Sequence, residues 1–226
     1  MLFSGLFAGF AVGFLVALLQ YGFVEQKILL AERYESHELV HFAGASSPVL
    51  DMSAHDQGTG VAASPLLRHG WTVLFASLIY VGYALVMAAG YGLAAQFGRR
   101  VTLQEGLLWG LAGFAACQMA PAMGLQPDLP GTMAADLDAR QWWWLACALA
   151  TAGGLALIGY GKGLMRVVGL VMLAAPHVIG APELDGFTGV VPPELAASFA
   201  ARGLGVGLVA WVTLGGTLAW LWNRLE

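Results

Sequence analysis

The chain has 226 residues, of which 58% are hydrophobic and only 11% charged, with a formal net charge of −4 and a mean hydropathy of +0.72. A soluble globular domain carries about 25% charged residues, so this composition points to an integral membrane protein. A weakly acidic chain without a basic stripe is also not a nucleic-acid binder.

The first charge-free window covers residues 2–24. No basic stretch precedes it and no small-x-small cleavage site follows it, so a retained first helix is expected rather than a signal peptide. Gly5, Gly9 and Gly13 recur every four residues on one face of that helix, a spacing that lets a second helix backbone approach closely. Residues 25–69 follow as an external loop, with a juxtamembrane helix and then a Ser, Ala, Gly and Asp-rich flexible linker over 44–63 that holds His55. Within 31–42 (AERYESHELVHF), a continued helix puts His37 and His41 one turn apart on one face, with Glu35 and Glu38 near by. The alternative is a solvated juxtamembrane helix whose acids and histidines face water.

Further windows cover 70–95, 106–125, 141–161 and 203–222, each near or beyond the roughly 20 residues that cross the hydrocarbon core. A sixth, 167–182, is short and interrupted by Pro176. With six spans and a cytoplasmic N-terminus, Arg99, Arg100, Lys162, Arg166 and Arg224 all fall inside, as short basic loops do. Five spans is the alternative, and it carries Arg224 outside. Under six spans, twelve of the fourteen carboxylates and all five histidines lie outside, leaving Glu105 and Glu226 within. The fold expected is an all-α integral membrane bundle of six transmembrane helices, one membrane domain over residues 1–226. Gly106 and Gly110 repeat the close-packing spacing in the third span, and Trp142 to Trp144, Trp220 and Trp222 fit interfacial belts.

Residues 120–131 (APAMGLQPDLPG) and 175–186 (APHVIGAPELDG) echo each other, with Asp128 matched by Glu183. This predicts a repeat of helical hairpins, spans three and four and then five and six, that sets two proline turns at one membrane depth. Asp128, His177 and Glu183 then supply carboxylate oxygen and imidazole nitrogen, a set suited to cobalt, nickel or zinc rather than to calcium or magnesium. A histidine hydrogen-bonded to a loop carbonyl is the plainer reading of His177. Cys117, Met119 and Met123 read as packing residues more readily than as a copper(I) path, and Cys147 reads as packing too. No phosphate-binding loop, dinucleotide motif or catalytic constellation is visible, so an enzyme is not expected.

The stretches LLAERYE (29–35), GLLWGLAGF (106–114), APAMGLQPDLPG (120–131), AADLDARQWW (134–143), PHVIGAP (176–182) and VPPELAASF (191–199) resemble the CbtA family, predicted cobalt transporter subunits of bacteria. The resemblance implies cobalt transport across the inner membrane in support of cobalamin synthesis, Co2+ as substrate and no permanently bound cofactor. It carries over Glu32, Glu35, Asp128, Asp136, Arg140, His177, Glu183 and Glu194 as matching ionisable positions. The expected partners are the lipid bilayer, a small single-span histidine-bearing subunit of the CbtB kind, and further copies of the chain. The family is described with five spans and often with a histidine-dense first external loop, denser than the one here. Asp128, His177 and Glu183 are expected as the outward-facing site, fed by Glu35, His37 and His41. Transport of nickel or another divalent ion, and a non-transporting membrane scaffold, are the alternatives.

Overall fold

A computed structural model describes residues 2–41, 65–184, 186 and 189–225; the linker with His55, and Asp185, lie outside the described residues. Those residues form seven helices. They are α1 (Leu2–Phe23), α2 (Glu25–Glu35), α3 (Pro65–Gln96), α4 (Leu103–Phe114, prolonged by a π-turn Ala115–Met119 and by Ala120–Ala122), α5 (Leu137–Tyr160), α6 (Leu164–Ile179) and α7 (Pro193–Leu225). The one β pairing among the described residues is an isolated antiparallel bridge, Thr132 to Gly189.

Four helices, α1, α3, α5 and α7, are long and apolar enough to cross a membrane. Helix α6 has 16 residues, about 24 Å, and α4 with its prolongation runs for about 30 Å. Large apolar side chains cover the outside as well as the core. On α1, Phe3, Phe7, Phe10 and Phe14 are exposed while Ala8, Val12 and Val16 are buried. A helix apolar all round suits lipid on one side and protein on the other.

The first helix packs chiefly on α3 and also on α7, α4 packs on α7, and α5 packs on α6. Glycine makes the α1–α3 and α4–α7 interfaces possible. A Cβ added at Gly9 would lie 2.7 Å from the Val81 nitrogen, and one at Gly13 would lie 2.8 Å from that of Ser77. Gly106 and Gly110 meet the α7 backbone at Gly215 and Trp211 in the same way, so both predicted glycine faces are helix contacts. The main core joins Val12 and Val16 to Tyr80, Ala84 and Tyr91 of α3 and to Trp211, Leu214 and Leu218 of α7.

This pairing differs from two successive packed hairpins. Helix α6 leans on α5, while α7 returns across the molecule to α4 and α1. Shape decides it, because Gly154 and Gly169 let α5 and α6 touch backbone to backbone. Pro176 sits inside the last turn of α6 without ending it; the stop is Gly180, at φ 89°. Pro121, by contrast, follows a widened turn. It has no N–H to give to the Cys117 carbonyl, and the helix opens into the π-turn just upstream, where Ala120 N–H reaches back to the Ala115 carbonyl.

Contacts define two ends. At one, the Trp109 indole donates to the Tyr160 hydroxyl at 3.0 Å, Asn223 donates to the Val101 carbonyl at 2.8 Å, and Arg99 lies 5.4 Å above the Tyr160 ring. Thr102 and Glu105 close a capping box that starts α4 there. This is the basic end, with Arg100, Lys162, Arg166 and Arg224.

Candidate functional site

The opposite end gathers the acids and histidines. Only Val24 separates α1 from α2, and Arg202 of α7 donates to the Phe23 carbonyl at 3.1 Å, fixing the point where the chain leaves the bundle. Helix α2 then lays Ala31 on Leu129, Val191 and Leu195, with Ile28 and Tyr34 alongside. That small apolar cluster holds three segments together: α2, the loop after α4, and the start of α7. A shell of ion pairs surrounds it. Arg68 reaches Glu32 at 3.3 Å, Arg33 reaches Glu38 at 3.0 Å, and Arg140 pairs with Asp128.

The two echoing turns meet. A Cβ at Gly124 would lie 2.7 Å from both the Ala181 methyl and the Trp143 ring, and the Thr132–Gly189 bridge ties the loops further on. His177, half-buried at the end of α6, packs edge-on to Trp143 with ring centroids 6.2 Å apart. Asp128 is exposed and engaged by Arg140, whose helix α5 is started by Asp136 accepting from Ala139 N–H at 3.0 Å. Glu183 is exposed in the loop beyond α6. Glu35 lies over Gly131, so it belongs to the same surface as the first turn.

His37 and His41 take a different geometry from the one expected. Helix α2 stops at Glu35, and His37 turns into the left-handed region at φ 58°. The i, i+4 face therefore does not form. Ser36 N–H is taken by the Glu32 carbonyl and His37 N–H by that of Tyr34, which satisfies helix-end carbonyls in the manner of a left-handed cap. Among the described residues, no group of three or more His, Cys, Asp or Glu side chains is placed to hold one ion. Asp128, His177 and Glu183 thus stand on turns that meet at Gly124 and Ala181 without forming a preformed triad.

One pairing went unanticipated. His69 Nδ1 of α3 stands 3.9 Å from Glu25 Oε1 of α2, at the mouth of a cavity of about 460 Å³. The sequence did mark it, since Glu25 is the first charge after the first span and His69 the last ionisable residue before the second. An antiparallel pair of those spans brings the two together.

The chemistry on offer at this end is oxygen and imidazole donation to a cation. Comparison with known proteins agrees. A family model described as "Probable cobalt transporter subunit (CbtA)" matches residues 1–223, a family of transporter subunits rather than of enzymes. No curated protein matches the chain, and no solved structure does.

Proposed function

Because the chain belongs to the CbtA family of probable cobalt transporter subunits, we propose that it carries cobalt, as the divalent cation, across the bacterial inner membrane toward cobalamin synthesis. One observation carries this reading: across a bundle of apolar helices, acids and histidines collect at one end and Arg99, Arg100, Lys162, Arg166 and Arg224 at the other. Short basic loops stay cytoplasmic. The acidic end is then external, both termini are cytoplasmic, and the helices make six passes. Helix α6 makes the fifth, with its ends reached by local thinning of the bilayer. In this reading residues 1–226 act as one membrane domain. Residues 25–69 are its external loop, and the echoing turns are repeats that close outward-running helices at one depth.

His177, Asp128 and Glu183 are the proposed outward-facing ligands, fed by Glu35, His37 and His41. Imidazole favours cobalt over magnesium, and Asp128 becomes available only when Arg140 is displaced. The partner implied by a subunit is a small single-span, histidine-bearing chain, with association of copies of this chain as the other arrangement. Nickel transport is the second reading, since imidazole and carboxylate serve both ions and selectivity rests on geometry.

The test is uptake of radioactive cobalt by proteoliposomes, with and without the small subunit, in competition with nickel and magnesium. Cobalt uptake suppressed by nickel more than by magnesium is expected, with His177→Ala lowering it. Unchanged uptake in His177→Ala removes that residue from its central role, and no uptake under either condition favours the scaffold.

A further inference from the structure

We propose that Glu25 and His69 form a binding site for a divalent transition-metal cation, at the junction where α1 leaves the bundle and α3 begins. The inference deepens the transport reading and rests on it for the identity of the ion. The two donors come from different helices, and the α1–α3 packing that opposes them is the one fixed by Gly9 and Gly13. Their separation of 3.9 Å exceeds a hydrogen bond. Two donors bonded to one ion at about 2.1 Å each lie about 3.0 Å apart at an octahedral right angle and about 3.4 Å apart in a tetrahedron, so a closing movement of about half an ångström brings this pair to ligand distance.

The surroundings support an ion there. Gln20, Tyr21, Arg68 and Thr72 line the same cavity, whose remaining wall is apolar, with Leu18, Ile28 and Phe199, so a carboxamide and two hydroxyl-bearing side chains are the further donors beside the pair. At about 30 Å³ per water, the cavity of about 460 Å³ holds an ion with most of its hydration shell. The Tyr21 ring meets His69 edge-on at 4.9 Å, which holds the imidazole plane. Glu25 lies in the first turn of α2, where the helix dipole favours the carboxylate. Its side chain is only 21% exposed, against 38% for His69, and a part-buried carboxylate needs a positive partner.

Arg68 lines the cavity too, and its charge opposes a cation. Glu32 holds that guanidinium at 3.3 Å. Counting the imidazole as the lone-pair donor that a metal needs, two carboxylates against one guanidinium leave the junction with a net negative charge. A plain His–Glu ion pair is the competing account, and it requires a protonated imidazole that leaves no lone pair for a metal.

The experiment titrates the purified full chain in detergent with cobalt(II) chloride alone, following the visible d–d absorption of the bound ion. The parent is expected to bind with a nitrogen-containing ligand field. His69→Gln and Glu25→Gln should each weaken binding by about 10-fold or more and change the spectrum, and Glu32→Gln, which frees Arg68, should weaken it several-fold without changing the spectrum. Thermal unfolding confirms that each variant folds, and the isosteric Glu25→Gln carries the test if His69→Gln does not. Binding and spectrum unchanged in both variants overturn the site and leave the ion pair. If proteoliposomes take up cobalt but neither variant alters binding, the site fails and the transport reading stands. If binding depends on Glu25 and His69 while proteoliposomes take up none, the site stands and the transport reading fails.

Discussion

Alanine substitutions along α1 should be graded by how near each glycine comes to α3. A Cβ at Gly13 would sit 2.8 Å from the Ser77 nitrogen and 2.9 Å from the Ala76 carbonyl oxygen; one at Gly9 would sit 2.7 Å from the Val81 nitrogen. Non-bonded heavy atoms settle at about 3.5–4.0 Å, so the helices must part by about 1 Å, which forfeits a quarter to a half of each neighbouring contact's attraction. For about 40 atom pairs at 0.1–0.2 kcal/mol each, the loss is about 1–4 kcal/mol. Alanine's better helix propensity, about 1 kcal/mol, offsets part of it. At Gly5 the first obstacle is the Leu85 Cδ2 methyl at 3.0 Å, a side-chain tip that can rotate, and at Gly22 nothing lies within 4 Å. Thermal unfolding in detergent should therefore show Gly9→Ala and Gly13→Ala clearly below the parent, Gly5→Ala slightly below it, and Gly22→Ala level with it or above. Equal midpoints for Gly13→Ala and Gly22→Ala would refute the close approach of α1 and α3.

Gly207→Ala should destabilise by about 1–3 kcal/mol, because the new Cβ would overlap the Gln118 carboxamide; Gln118→Ala in the same chain should restore most of the loss, read by the same unfolding assay. Arg140→Gln removes the guanidinium that engages Asp128, a part-exposed pair whose stability contribution is under about 1 kcal/mol. If Asp128 is a ligand, cobalt binding should tighten while the midpoint hardly moves, and unchanged binding removes Asp128 from the ligand set. In a background lacking Cys117 and Cys147, Arg224→Cys should react with an impermeant thiol reagent only from the cytoplasmic side, and labelling from the outside would refute six passes.

The helices were legible because charge-free runs have sharp edges. The window 141–161 became Leu137–Tyr160, and even the interrupted window 167–182 became Leu164–Ile179. The glycine faces were legible because a four-residue repeat has few other uses. Which helix packs on which was not. In a soluble bundle the inner face is the apolar stripe, but on α1 the outward Phe10 and the inward Val12 are equally apolar. Periodicity then carries no direction, and nothing in it marks the return of α7 to α1. His37 and His41 failed for a local reason: the register argument assumes a helix running through residue 41, but α2 ends six residues earlier, at Glu35, and the chain turns left-handed at His37. The Glu25–His69 pair was open to inference from the two span edges. No motif or periodicity links the two, because the residues stand 44 positions apart in sequence.

The distribution of donors also constrains how an ion crosses. The described acids and histidines stand at the ends of the bundle, and the buried polar side chains among the described residues are Ser4, Ser77 and Thr151, with the Gln118 carboxamide oxygen and the Trp143 and Trp211 indole N–H groups buried without hydrogen-bond partners. None of these is a carboxylate or an imidazole. A dication that keeps its water is too large for interfaces in which helix backbones touch at Gly13 and Gly110, and one stripped of water needs several donors at once. On the transport reading, therefore, no single ligand set carries the ion through this arrangement. Ligands must be exchanged along the way. The widened turn at Ala115–Met119 is the place where this bundle has backbone and carboxamide oxygen to contribute, π-turns being frequent at functional positions. Gln118→Leu, which keeps the volume and removes the oxygen, should then slow cobalt uptake in proteoliposomes without weakening cobalt binding at the acidic end. Equal loss of both, or of neither, places the crossing elsewhere and leaves the missing donors to a partner subunit.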